Sequence, residues 1–140
     1  MMIQTTFTLV TDKPGLTEIT ADVREWLNGR GDGLLTLFIR HTSASLLIQE
    51  NADPAVQHDL LAYLERLVPP ADHRTMAYLT HTDEGPDDMP AHIKAALLPV
   101  SLSIPVARGV PVLGTWQGIY IVEHRQAPQR RQVAALFIGA

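Results

Sequence analysis

The sequence contains no cysteine. Disulfides, thiolate zinc sites and a cysteine nucleophile are therefore excluded together. Charged residues make up only 19% of the chain and the formal net charge is -4. The totals thus lack the positive excess of a protein that coats nucleic acid or an anionic membrane. No run reaches the ~18 uninterrupted apolar residues needed to span a bilayer. The opening MMIQTTFTLVTDKPG has neither the basic start nor the long apolar stretch of a signal peptide. A cytoplasmic protein is expected, with no nucleic-acid or membrane partner. Repeats, linkers and low-complexity tracts are also missing, and 140 residues suit a single domain over 1–140.

What is present is largely apolar, 46% of the residues, enough to build a packed core. Residues Ile3 to Val10 alternate and predict a strand, ended by Asp12, Pro14 and Gly15. Thr17 to Asn28 predicts a helix, with Ile19, Val23, Trp26 and Leu27 at three- and four-residue spacing and Gly29 as the stop. Leu34 to Ile39 reads as a central strand and Ser45 to Gln49 as another. Asp53 and Pro54 then open a helix whose core face carries Val56, Leu60, Leu61 and Leu64. Met76 to Thr80 predicts a strand and Met89 to Leu98 a short helix. SLSIPV, VPVL, WQGIYIVEHR and QVAALFIG are four further strand-like runs, the first two edge or bulged because of Pro105 and Pro111. The class is α+β, a mainly antiparallel sheet assembly with three helices packed on it.

Four stretches carry groups that a plain core does not need. In HTDEGPDDMPAHIK, residues 81–94, His81 and His92 flank Asp83, Glu84, Asp87 and Asp88. Imidazole and carboxylate are ligands for borderline and hard divalent metals. His81 at a strand end and His92 on the following helix could converge, whereas a solvated acidic turn is the plain alternative. In RHTSAS, residues 40–45, His41, Thr42, Ser43 and Ser45 follow a buried strand, at a sheet rim where ligands bind. His41 is a candidate third ligand or general acid/base; the hydroxyls could hold phosphate or satisfy their own turn. In QENADP, residues 49–54, Glu50 and Asn51 suit hydrogen bonds to a heterocycle or a metal-bound water. In LGTWQGIYIVEHR, residues 113–125, Thr115, Trp116 and Gln117 lie between two glycines, and Arg125 ends the strand. Arg125 suits bidentate phosphate binding, with a rim salt bridge as the alternative.

Taken together, HTSASLLIQENADPAVQHDL, HTDEGPDDMPAHIK and LGTWQGIYIVEHR resemble the bacterial YjbQ family, described as secondary thiamine-phosphate synthases. The likeness runs from about residue 3 to the C-terminus. It implies an antiparallel β-sandwich with flanking helices, a homotrimer with sites near subunit boundaries, and a weak transferase activity. That activity joins a pyrimidine diphosphate to a thiazole phosphate with loss of pyrophosphate. On this reading a small phosphorylated metabolite is the partner and a divalent metal, Mg²⁺ or Zn²⁺, neutralises the leaving oxygens. His41, His81 and His92 are assigned to the metal, and Asp87, Asp88, Glu50 and Asn51 to catalysis. Thr42, Ser43, Ser45, Lys94, Thr115, Gln117 and Arg125 are assigned to substrate and phosphate. In an alternative arrangement Asp87 and Asp88 bind the metal and a histidine moves the proton. Two further functions use the same pocket: a non-catalytic metal or phosphometabolite binder, and a metal-assisted hydrolase of a small phosphorylated compound.

Overall fold

The computed structural model describes residues 1–140. Strand β1 (Met2–Thr11) is followed by β2 (Gly15–Glu18), helix α1 (Thr20–Leu27), β3 (Gly33–Ile39), β4 (Ala44–Glu50) and helix α2 (Pro54–Leu67). Helix α3 (Asp88–Leu97) leads into β5 (Ser101–Ala107), β6 (Val110–Pro111), β7 (Gln117–Glu123) and β8 (Gln129–Gly139). The strands form a five-stranded sheet in the order β1-β8-β3-β5-β6 and a three-stranded sheet in the order β2-β7-β4. Every pairing is antiparallel. No helix is long and apolar enough to cross a membrane.

Period-two alternation explains the layering. Leu35, Leu37 and Ile39 of β3, with Val133, Ala135 and Phe137 of β8, point at Ala44 and Leu46 of β4 and at Ile119 and Ile121 of β7. Helix α1 adds Val23 and Leu27 to this one cluster. The outer face of the three-stranded sheet carries Tyr120, Val122 and His124, and lies under α2 and α3: Gln57 of α2 donates to the Tyr120 hydroxyl at 3.2 Å. Asp53 caps α2, accepting from the Ala55 N–H at 2.9 Å, with Pro54 as first residue. Its apolar stripe of Val56, Leu60, Leu61 and Leu64 is only half-buried, so α2 rests on the sheet's outer face rather than entering the core.

Three sequence expectations are corrected. Helix α1 begins at Thr20, not Thr17, because Gly15–Glu18 is captured as a strand against β7. Met76–Thr80 is not a strand. His73 accepts from the Thr75 N–H and seeds a 3₁₀ turn over Arg74–Met76; Met76 and Leu79 then bond back to His73 and Met76, leaving no ladder of donors. Pro105 lies inside the five-stranded sheet rather than at its edge. Its carbonyl accepts from Val112, so its missing N–H lies on the same side, just past the end of the two-residue edge strand β6.

Polar groups sit where β7 ends. Glu123 is 1% exposed between the sheets and accepts hydrogen bonds from Arg131 of β8, at 2.7 and 2.5 Å, and from the Thr11 hydroxyl of β1. Burial pushes its carboxyl up, but the Arg131 and Thr11 bonds outweigh this and hold it below the usual carboxylate range. On the opposite face His124, 4% exposed, bonds the Ser45 hydroxyl at 2.9 Å. Burial first, and the nearby Lys94 charge second, lower its pKa from 6.5 to about 4. The unfolded chain takes up this proton near the ordinary value, while the folded chain resists until about pH 4. Stability therefore falls as pH drops through that window, by on the order of 3 kcal/mol. Urea unfolding of the wild type between pH 7 and pH 4 should show this decline, and His124→Asn should flatten it. An unchanged slope in the variant would assign the decline to other groups.

Candidate metal centre

Helix α3 places Asp88 and His92 one turn apart on the same face. The preceding loop brings back His81, and the ligand atoms of His81, Asp88 and His92 all lie within 4.8 Å of one another. Asp88 is the buried member, with 2% of its side chain exposed, while His81 and His92 are 49% and 30% exposed. Its Oδ2 lies 2.8 Å from His81 Nε2 and 3.4 Å from His92 Nε2. Its Oδ1 accepts from Arg125 Nη1 at 2.8 Å. Burial pushes the Asp88 carboxyl up, but the His81 bond and the charges of His92 and Arg125 keep it ionised below its usual range.

His92 is oriented from behind. Its Nδ1 lies 2.8 Å from the Thr42 carbonyl, which can only accept, so Nδ1 carries the proton. In the neutral ring Nε2 then presents a lone pair to a carboxylate oxygen. Two acceptors facing one another at 3.4 Å need a cation between them, either a metal ion or a second proton on His92. A histidine fixed through its far nitrogen by a backbone carbonyl is the outer support usual for metal-binding imidazoles. The donor set and its tautomer fit a divalent metal with three protein ligands and open positions toward solvent.

Arg125 holds this arrangement with three of its five N–H donors. Its Nε donates to Asp87 Oδ2 at 2.9 Å, its Nη1 to Asp88, and its Nη2 to the Glu84 carbonyl at 3.3 Å. Asp87, at the N-cap position of α3, also accepts from the Gln126 N–H at 2.9 Å. Burial raises the Asp87 carboxyl, but these bonds bring it below the ordinary value. Of the two readings of Arg125 from sequence, the salt bridge is the one formed.

The remaining predicted residues divide. His41 accepts the Gln132 N–H on Nε2 at 2.8 Å and lies outside the ligand cluster, lining a groove of about 290 Å³ with Thr42, His92, Ala95, Ala96 and Val100. Burial and the Arg131 charge push its pKa down. Thr42 is exposed beside His92. Ser43 gives its hydroxyl and carbonyl to Arg131, and Ser45 is bonded to His124. Lys94 faces α2, pairing with Glu65 at 3.1 Å, and lines a cavity of about 150 Å³ with His124 and Leu64. Glu50, Asn51, Thr115 and Gln117 lie at the other end of β4, roughly 20 Å away at ~3.3 Å per residue. Glu50 there pairs with Gln117, whereas Ala44 at the near end pairs with Glu123.

Sequence reasoning missed Glu18 and Arg24, which join Asn51, Thr115 and Gln117 around a second cleft. It also missed Glu123 and Arg131 as a buried pair. The alternation Ile119, Ile121, Glu123 was the available signal, because it turns Glu123 toward the core.

Comparison with known proteins follows the same outline. The model of the family described as UPF0047 protein YjbQ-like matches residues 5–140. UPF0047 protein YjbQ of Salmonella typhimurium is 42% identical over 142 residues, covering 99% of each chain. A crystal structure of an uncharacterized conserved YjbQ/UPF0047 family protein from Clostridium acetobutylicum superposes with a TM-score of 0.83 at 34% identity, over 96% of this chain and 99% of that one. A conserved hypothetical protein from Thermus thermophilus gives the same TM-score, identity and coverage.

Proposed function

The chain belongs to the UPF0047 YjbQ-like family, and we propose that it uses a divalent metal held by His81, Asp88 and His92 to act on a small phosphorylated metabolite. The observation that carries this reading is the pair of facing acceptors, His92 Nε2 and Asp88 Oδ2, at 3.4 Å. Two imidazoles and one carboxylate suit Zn²⁺ better than Mg²⁺, which favours all-oxygen coordination. Bound there, the ion supplies Lewis-acid neutralisation of phosphate oxygens.

The family resemblance makes the reaction a thiamine-phosphate synthase-type transfer. The bond between a pyrimidinylmethyl carbon and its diphosphate oxygen breaks, the thiazole nitrogen forms the new carbon–nitrogen bond, and pyrophosphate leaves with the electron pair. The chain's own part is positional. Arg125 fixes both aspartates, the Thr42 carbonyl fixes the His92 tautomer, and the groove of Ala95, Ala96 and Val100 offers an apolar bed beside the centre. Arg125 and Lys94 are already paired with carboxylates, so a metal held by His81, Asp88 and His92 would add the positive charge that the leaving group needs.

Zinc titration against a competing chelator should give one ion per chain. His92→Ala should abolish it, and Arg125→Gln should weaken it by about 10- to 100-fold through the lost outer support. Affinity should fall on acidification, since ligating imidazoles must be deprotonated. Undiminished binding in His92→Ala would remove the proposed centre.

Steady-state turnover with both thiamine precursors should drop by roughly two orders of magnitude in Asp88→Ala and His92→Ala. Turnover indifferent to both would reject the transferase, and phosphate release from simple esters would favour the hydrolase. Metal binding with neither activity would leave a binding protein.

The homotrimer implied by the resemblance is supported by the outer face of the five-stranded sheet. Leu34 and Ile138, directly paired, are 41% and 48% exposed there, and Phe38 is 49% exposed. An open apolar sheet face of this kind marks an association surface. Light scattering should give three times the chain mass, and Phe38→Glu should give the monomer; a monomeric wild type would refute the assembly.

A further inference from the structure

Between β3 and β4 the chain leaves the sheet over residues 40–43, and β8 holds this loop from both sides. We propose that His41 and Arg131 are positioning residues that clamp the loop and thereby set the ring tautomer of His92. The effect on metal affinity rests on the proposed metal centre; the tautomer itself does not.

On the first side, β3 and β8 pair as far as Ile39 and Val133. One step further the Arg40 N–H still donates to the Gln132 carbonyl, at 3.2 Å. A continuing antiparallel ladder would return the Gln132 N–H to the Arg40 carbonyl. Instead His41 Nε2 accepts it, at 2.8 Å. The imidazole stands in for a backbone carbonyl, so the chain turns out of the sheet without leaving the Gln132 donor unpaired. On the second side, Arg131 Nη2 donates to the Ser43 carbonyl at 3.1 Å and to the Ser43 hydroxyl oxygen at 2.9 Å. Arg131 is 3% exposed and is itself fixed by Glu123, its Nε lying 2.7 Å from Oε1.

Thr42 lies between the two clamps, and its carbonyl is the acceptor 2.8 Å from His92 Nδ1. That bond puts the His92 proton on Nδ1 and turns an Nε2 lone pair toward Asp88 Oδ2, 3.4 Å away. If the Thr42 carbonyl could withdraw beyond hydrogen-bond reach, the ring would be free to take its other form. With its proton on Nε2, His92 would donate to Asp88 directly and close the space between them. The clamp therefore holds two acceptors facing one another, the arrangement that a cation requires. Neither His41 nor Arg131 belongs to the cluster of His81, Asp88 and His92, so both act on it at one remove, through Thr42.

The tautomer is read on metal-free ¹⁵N-labelled protein from ring ¹H–¹⁵N correlations, at a pH where the rings are neutral. The chain has six histidines, and His92→Gln assigns the signal. His73 Nδ1 accepts the Thr75 N–H at 3.2 Å, so its ring supplies the opposite, Nε2–H form as an internal reference. Wild-type His92 should show the proton on Nδ1. His41→Leu, which removes the acceptor for Gln132, should convert His92 mainly to the Nε2–H form. His41→Gln, whose side-chain oxygen can take the same N–H, should restore the wild-type form. Arg131→Lys keeps a charge beside Glu123 but loses the fork to Ser43, and should act like His41→Leu; if it fails to fold, the two His41 variants decide. Zinc affinity should fall by about tenfold or more in His41→Leu and recover in His41→Gln. A wild-type proton on Nε2, or a tautomer that His41→Leu does not move, overturns the proposal. A tautomer that moves with no loss of zinc affinity overturns the clamp's part at the metal centre. A chain that shows the tautomer change but binds no zinc removes the metal reading and leaves the clamp standing.

Discussion

One buried carboxylate organises this molecule. Glu123 accepts five hydrogen bonds: two from Arg131, one from the Thr11 hydroxyl, and one each from the backbone N–H groups of His124 and Arg125. The first three join β1, β7 and β8 across the two sheets. The last two fix the backbone at the end of β7 and so aim Arg125 at the start of α3. An uncompensated charge left by deleting one partner of such a pair typically costs about 3–5 kcal/mol. The same loss would reach the candidate metal centre through a short chain of contacts, from Glu123 to Arg125, from Arg125 to Asp88, and from Asp88 to His81 and His92.

Three consecutive residues thereby do three separate tasks because a strand alternates its faces. Glu123 points between the sheets, His124 points under the helices to Ser45, and Arg125 leaves the strand to grip Asp87 and Asp88. Sequence alone marks Arg125 as a bidentate group, for phosphate or for a rim carboxylate. In the fold three of its five N–H donors are used by Asp87, Asp88 and the Glu84 carbonyl. A guanidinium's chemistry is legible from sequence, but whether a carboxylate or a ligand occupies it depends on tertiary distance.

That distinction accounts for most of what was and was not legible. Strands β1, β3, β4, β7 and β8 and helix α2 follow from local pattern, capping and proline placement, all of which are near-neighbour effects. The failures at Gly15–Glu18 and Met76–Thr80 are cases where a distant partner, or its lack, overrides local preference. For the site, His81 and His92 converge as the sequence suggested, although His81 comes from a loop and not from the strand end expected of it. The separation of Glu50, Asn51, Thr115 and Gln117 from them was not legible, because motif spacing along a chain does not reveal which end of a strand a side chain occupies.

The three-stranded sheet consequently presents two chemically different ends. At one, β4 begins beside nitrogen and carboxylate donors that converge on a common point; at the other it ends among amides, a guanidinium and an exposed indole. A rigid strand fixes their separation, so neither end can reach the other by side-chain rotation. At the candidate metal end, Arg125 and Lys94 are each paired with carboxylates. A cation among His81, Asp88 and His92, as proposed above, would add positive charge at this end. The mutual facing of His92 Nε2 and Asp88 Oδ2 is met by a metal ion or by a second proton on His92, and only the metal would also leave an open position for an anion.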